Sequence, residues 1–335
     1  MAKKKMVGIE IGNHTLKMVV CRGGVFEQFI HVEIPDNMIQ NDEIISYSAM
    51  GDFIRENLEL NKIKCREAAL TLPDRKLFIR RVKMPLMTVS QLKVNLPYEF
   101  RTYITDNKEQ FVYDYSLIQI DRDEDNPQNS EMEILAAAVD REQLNEYISM
   151  MNRAGLKLSV VMPECLAMKN ILDEYQNRMN ISEKHDYSIV DLGANTIKIH
   201  FFSQGEFDTT RTLELGCDNF IEMVALMNNE DVHIARKKFE LNHENVQYHD
   251  MIASRYDNLV VEITRVLNFY RYNHPQTDLD CLYICGGGVQ ITPLIDRIQD
   301  SLDVRVKTVK ELFNGDDHMG DRLVLCPQIF GVFSE

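Results

Sequence analysis

Several things are scarce in this chain of 335 residues. Basic side chains are outnumbered, with 37 Lys+Arg against 52 Asp+Glu and a formal charge of −15. Phosphate backbones need a basic footprint, so the deficit argues against a general nucleic-acid binder, and equally against broad adhesion to anionic lipid. No apolar run approaches the roughly 20 residues of a transmembrane helix. The start carries Lys3, Lys4 and Lys5 but no apolar stretch before Glu10, which excludes a secretory signal and leaves a solubilising basic start. Seven cysteines lie scattered at 21, 65, 165, 217, 281, 285 and 326 without a CxxC pair. In a chain of this size they read as reduced cytosolic thiols and argue against zinc. His233, His243 and His249 match no metal-ligand spacing and read as surface histidines.

What is present fits a two-domain α/β protein, since the length is about twice the roughly 150 residues of a typical domain. Val7–Ile11, Leu16–Cys21 and Val25–Ile34 have strand texture, separated by turn chemistry at Gly12-Asn13-His14 and Gly23-Gly24. Asp42–Leu60 has helical spacing, and Ala68–Leu72 is a short buried strand. The texture changes over 77–162. Leu77–Val82 is strand-like, and Thr88 and Gln91 make a capping box opening a helix to about Ile104, with Pro97 inside it. Phe111–Asp121 and Met132–Val139 predict a hairpin. Asp140 with Gln143 caps a helix ended by Gly155, and Leu158–Met162 is a strand. This block has the make-up of a small α/β insert. A helix to about Met179 follows Pro163, and the polar 180–186 stretch divides the halves.

The opening motif then returns. Val7–Lys17 aligns without gaps on Ser188–Lys198, so that Glu10, Gly12, Thr15 and Lys17 recur as Asp191, Gly193, Thr196 and Lys198. One copy is a weak signal, whereas two copies in register, each opening a half-chain, are a strong one. A carboxylate in an apolar strand is costly unless it faces a cleft or a cation. The glycine admits positive φ and close approach of a ligand, and successive N–H groups in such a turn form an anion site. Two such hairpins would hold a polyphosphate from both sides, with Glu10 and Asp191 orienting Mg²⁺. Downstream, Phe201–Glu214 is strand-like and helices begin near Cys217 and Asp231. Met251–Tyr272 is a long helix with one apolar face through Ile252, Tyr256, Leu259, Ile263, Val266 and Tyr270. Leu282–Cys285 is a buried strand, and Gly286-Gly287-Gly288 gives a loop without Cβ atoms, suited to a flat base or ribose, before the helix Ile291–Ser301. Arg80, Arg81 and Lys83 form the clearest basic patch. It reads either as an edge strand guarded by charge or as a groove for a short acidic or amphipathic peptide.

The order hairpin, connecting acid, hairpin, glycine-rich loop resembles the actin/hexokinase/heat-shock-70 ATPase superfamily. More closely, the chain resembles the PilM family of type IV pilus assembly proteins, in the FtsA-like branch. The resemblance rests on Val7–Lys17, on Leu77–Pro85 with Tyr98-Glu99-Phe100, on Pro163-Glu164 with Ala167, on Ile189–Lys198, on Glu262-Ile263-Thr264-Arg265 with Phe269-Tyr270, and on Cys285–Val289. It implies an actin-like ATPase fold: two lobes with duplicated ribonuclease-H-like cores, a small insert in the first, and ATP with Mg²⁺ in the cleft. The implied first lobe is 1–76 with 163–185, the partner-binding insert is 77–162, and the second lobe is 186–335. That second lobe includes a helical subdomain at about 217–275 and a C-terminal segment, about 321–335, returning to the first lobe.

By position, the resemblance implies that Gly12, Asn13, Thr15 and Lys17, with Gly193, Ala194, Asn195 and Thr196, touch phosphates. Glu10 and Asp191 act through Mg²⁺, and Asp191 and Glu164 polarise water. Glu262, Arg265, Gly286, Gly287 and Gly288 surround ribose and base. Glu10 stands in place of the usual Asp, Asn13 in place of a small hydroxyl residue, and Cys217 and Ile221 interrupt a segment that usually has two glycines and then a Thr. These departures bear on hydrolysis more than on binding, and imply a scaffold with slow or absent turnover. The implied partner is the short cytoplasmic tail of a PilN-like single-span protein, with contact to hexameric motor ATPases, at the cytoplasmic face of the inner membrane and reaching the membrane through partners only. Two other readings of the fold are a small-molecule kinase and an FtsA-like filament. Nothing marks a sugar pocket, and no basic amphipathic tail follows Phe330–Glu335, which places both second.

Overall fold

The computed structural model of the chain describes residues 5–40, 42–105, 107–183, 185–313 and 319–333; Lys3 and Lys4 lie outside them. The strands and helices run β1 (Lys5–Ile11), β2 (Thr15–Arg22), β3 (Val25–Glu33), β4 (Ile39–Gln40), β5 (Glu43–Ile44), α1 (Tyr47–Leu60), β6 (Glu67–Leu72), β7 (Phe78–Pro85), α2 (Val89–Asn95), β8 (Phe111–Asp121), β9 (Glu131–Asp140), α3 (Arg141–Arg153) and β10 (Lys157–Pro163). They continue with α4 (Glu164–Met179), β11 (Tyr187–Leu192), β12 (Ile197–Ser203), β13 (Glu206–Leu213), α5 (Asp218–Asn228), α6 (Val232–Glu240), α7 (Asp250–Asn273), β14 (Cys281–Cys285), α8 (Thr292–Ser301), β15 (Arg305–Thr308), α9 (Arg322–Leu325) and α10 (Gln328–Gly331). Two compact units result. One holds Leu16–Ala167 with the residues up to Glu10 and from Val332 onward; the other holds Ile11–Thr15 and Met168–Gly331.

Each unit is built on a five-stranded sheet. The first has the order β3-β2-β1-β6-β10 and the second β13-β12-β11-β14-β15. Both are a three-strand meander whose first strand pairs with a parallel strand and then a second one. The register repeats too. Val7, Gly8 and Ile9 lie opposite Ala68, Ala69 and Leu70, as Ser188, Ile189 and Val190 lie opposite Leu282, Tyr283 and Ile284. The residues matched by the sequence repeat are therefore matched again by their parallel neighbours. In the second unit Val190, Leu192, Ile197, Ile199 and Phe201 pack one sheet face against α5, α6, α7 and α8. On α7 the buried residues are Ile252, Tyr256, Leu259, Val260, Ile263, Leu267 and Tyr270, the three-and-four spacing of one apolar stripe. Tyr270 stacks on Phe201 with ring centroids 3.9 Å apart and planes 9° off parallel.

The first unit also carries a small antiparallel sheet, β7-β9-β8. Thr88 accepts from the Gln91 N–H while the Gln91 side chain accepts from the Thr88 N–H, closing the capping box that starts α2. Pro97, which lacks an N–H, ends α2 early and continues it as a 3₁₀ turn over Leu96–Phe100, shorter than the expected helix to Ile104. Leu92, Leu96 and Phe100 bury themselves against Val82, Met84, Met132 and Ile134.

Further elements differ from the sequence-based expectation. The helix expected from Asp42 begins at Tyr47, because the Ser46 side chain accepts from Ala49 N and fixes the start. The single strand expected over Phe201–Glu214 is two, broken by Gln204 and Gly205 at φ of 54° and 79°. β15 was not expected at all.

Candidate functional site

In the first motif turn, Gly12 N donates to Thr15 O at 3.0 Å. Glu10, two positions before the glycine, is 8% exposed. Its Oε1 accepts from Lys17 Nζ at 2.7 Å, while Oε2 is buried with no partner. The second copy explains the spacing, for Asp191 stands directly opposite Lys198 across β11 and β12. An acid and a lysine seven residues apart are thus a cross-strand pair flanking a tight turn. Lys17, read from sequence as a phosphate ligand, holds the Glu10 carboxylate here.

The second turn is held by the segment before α5. Cys217 N donates to Gly193 O at 3.0 Å and Asp218 N to Ala194 O at 2.8 Å. A Cβ at Gly193 would meet Thr196 O at 2.5 Å, and one at Gly216 would strike the backbone of Ala194 and Asn195. Glycine is required at both positions by the chain's own turn. Cys217 is buried, and desolvation pushes its thiol up to about 12.

The three glycines after β14 have separate reasons. Gly286 has φ of 88°, and a Cβ there would strike Asp191 Oδ1 and lie 2.8 Å from Leu192 O. A Cβ on Gly288 would be 2.7 Å from Leu192 Cβ and 2.8 Å from Cys217 Sγ. Only Gly287 has nothing within 4 Å. The expectation of three glycines clearing a flat shelf is therefore corrected, because two of them let the loop pack on β11 and one faces open space.

A side-chain cluster with no role in the sequence-based reading joins these parts. His14 Nε2 lies 2.6 Å from Asp218 Oδ2, and Arg236 Nη2 donates to Asp218 Oδ1 at 3.0 Å and lies 3.1 Å from His14 Nε2. His14 belongs to the first turn, and Asp218 is bonded through its backbone to the second. Both turns, the Gly286–Gly288 loop and this cluster fall in one compact unit. His14 is 204 positions from Asp218, and nothing local in sequence marks the pairing.

The remaining expected residues lie as follows. Glu164 is buried at the start of α4, where the next residue's N–H donates to Asp74 Oδ1 at 3.3 Å. Glu262 and Arg265 pair with each other one turn apart on α7. Arg265 lines a depression of about 300 Å³ with Asp257, Thr264, Asn268 and Ser301. Asn13 is partly buried in the first turn, and Asn195 is exposed in the second. Arg81 Nε pairs with Glu133 Oε1 at 2.6 Å, and the Arg80 guanidinium bonds Glu99 O and lies 5.5 Å from the Tyr103 ring centre, so much of the basic patch is tied to the insert itself. Among the described residues no three His, Cys, Asp or Glu side chains converge as a metal site, and His233, His243 and His249 are exposed. Mg²⁺ fits these donors only as a guest of phosphate oxygens and water, with Glu10 Oε2 the one orphaned buried acceptor among them.

The sequence profile described as type IV pilus assembly protein PilM matches residues 8–321. Among curated proteins, none matches the chain. Among solved structures, a PilM–PilN type IV pilus biogenesis complex aligns with a TM-score of 0.79 at 19% identity, over 98% of this chain and 98% of that one. The ethanolamine utilization protein EutJ from Carboxydothermus hydrogenoformans aligns at 0.60 and 14% identity, over 99% and 91%. MreB5 of Spiroplasma citri bound to ADP aligns at 0.50 and 12% identity, over 95% and 94%. The fold is that of the actin-like ATPases.

Proposed function

The chain belongs to the type IV pilus assembly protein PilM family, and from that premise we propose that it is a nucleotide-responsive scaffold that binds ATP with Mg²⁺ and captures the short cytoplasmic tail of a PilN-like membrane protein. The observation that carries the nucleotide part is the tie between the two motif turns. Ala194 O, Asp218 and His14 link them within one unit, and the glycines at 193, 216, 286 and 288 keep side chains out of the backbone around them. Asn13, Thr15, Gly193, Ala194, Asn195 and Thr196 would hold phosphates through N–H groups and hydroxyls, around the turn that the Gly12 N–H closes. Glu10 and Asp191 would orient the waters of Mg²⁺, and Lys17 would divide its charge between Glu10 and phosphate. Gly287, the open position of its loop, would lie under the nucleoside, with Glu262 and Arg265 further along α7. Mg²⁺ when bound neutralises phosphate charge. Glu164 and Asp191 are the groups that would polarise water in any slow turnover.

The tail-binding part rests on the family and on the insert of residues 77–162. Leu86, Val89, Val94, Tyr98, Tyr103, Leu117 and Ile120 are exposed there, an apolar surface that a short amphipathic peptide would cover. Among the described residues no helix is long and apolar enough to cross a membrane. Membrane contact through the captured partner, at the inner face of the cell membrane and near the motor ATPases, fits that. Calorimetric titration tests the scaffold directly. ATP with Mg²⁺ should bind, and a PilN-like tail peptide should bind more tightly with ATP than without. Absence of adenine nucleotide uptake overturns the nucleotide part, and equal peptide affinities overturn the regulation.

A further inference from the structure

We propose that Arg236 is a phosphate-counting residue, parked on Asp218 beside the first motif turn and taken over by the terminal phosphate of a nucleoside triphosphate; this rests on the nucleotide reading above. The proton positions support it. A 2.6 Å separation between His14 Nε2 and Asp218 Oδ2 requires a proton between them, so Nε2–H donates to the carboxylate. Nε2 then has no lone pair for Arg236, and the 3.1 Å approach of Nη2 brings a cation beside a donor. Only the shared Asp218 carboxylate makes that tolerable. Two donors converging on one anion, next to a turn of backbone N–H groups, is the arrangement a phosphate oxygen would complete.

The cluster is also placed for exchange. The Asp218 backbone N–H is committed to Ala194 O, which fixes the carboxylate against the second turn while His14 belongs to the first. The His14, Asp218 and Arg236 side chains are 36%, 18% and 22% exposed, within reach of a solute. Among the described residues Arg236 uses only Nη2, which leaves Nε and Nη1 of its fork for a bidentate partner, and phosphate offers the matching geometry. A diphosphate would end before this position and leave Arg236 on Asp218. A triphosphate would draw it off, so α6, which carries Arg236, would report the number of phosphates.

The test is calorimetry of the full chain with Mg²⁺ and either ATP or ADP, for wild type, Arg236→Ala and Arg236→Lys. The wild type should prefer ATP at least 10-fold, equivalent to about 1.4 kcal/mol. Arg236→Ala should lose that preference while its ADP affinity moves less than threefold, which also shows that the variant is folded, and Arg236→Lys should keep part of it. An unchanged ATP-to-ADP ratio in Arg236→Ala overturns the proposal alone, with nucleotide binding intact. Tighter ATP binding by that variant also overturns it, by making the cluster a block. Wild type that takes up neither nucleotide overturns the nucleotide reading and this proposal with it.

Discussion

Gly286→Ala and Gly287→Ala are adjacent single-methyl additions with opposite expected consequences. Gly286 sits at φ 88° and ψ 174°, a backbone region that is nearly glycine-only and costs other residues about 1–3 kcal/mol. The new Cβ would also lie 2.8 Å from Leu192 O and strike Asp191 Oδ1. Overpacking against backbone that cannot rotate away adds about 1–3 kcal/mol. The sum, about 2–6 kcal/mol, is a large part of the 5–15 kcal/mol typical of folded proteins. With a urea dependence of about 3 kcal/mol/M, a loss of 3 kcal/mol lowers the midpoint by about 1 M. Gly287 lacks positive φ and has open space where its Cβ would go. Alanine there should leave stability within about 0.5 kcal/mol, or raise it slightly by narrowing the unfolded ensemble. It should nevertheless weaken ATP uptake, because it puts a methyl on the proposed nucleoside shelf. Urea unfolding followed by circular dichroism measures both variants. A Gly286→Ala protein within 1 kcal/mol of wild type, or a Gly287→Ala protein the less stable of the two, refutes the reasoning about this loop.

Other expectations concern charge and caps. Lys17→Met strands the buried Glu10 carboxylate and should cost about 3–5 kcal/mol, with Glu10→Gln in the same chain recovering at least half of it in urea unfolding. Alkylation of the native protein at pH 8 should modify the partly exposed Cys65 and Cys281 before the buried Cys217 and Cys165, read by mass spectrometry. A thiol raised to about 12 contributes stability that is whole below its unfolded value and is lost as pH climbs through the folded one. Urea midpoints should therefore fall from pH 8 to 11, less steeply in Cys217→Ala. Thr88→Ala removes a capping box worth about 1 kcal/mol, so amide exchange in α2 should quicken by about fivefold.

The duplicated architecture was legible in the sequence because its signal is repetitive. Eleven positions in register opened two halves, and the strands they mark turned out to be the same members of two sheets of the same order. Elements with a strong local signature, such as the Thr88 cap and the α7 stripe, were legible for similar reasons. β15 was not, because three of its four residues, Arg305, Lys307 and Thr308, are polar and it lies at a sheet edge where burial imposes no alternation. Within the candidate site, the turns could be read but their partners could not. The contact of the Lys17 ammonium with Glu10, for example, becomes visible only once β1 and β2 are side by side. Arg236 and Asp218 come from different helices, and their meeting with His14 is a property of the fold alone.

Following the shared register past the ends of β6 and β14 shows where the twin halves parted. Ala68 corresponds to Leu282, so Pro73 and Asp74 occupy the places of Gly287 and Gly288. The first half fills that corner with a pyrrolidine ring, and its Asp74 carboxylate receives the N–H of Cys165. At the equivalent corner the second half carries glycines, of which Gly287 alone faces open space. Under the proposed function, that asymmetry would let a nucleotide lie in one orientation only.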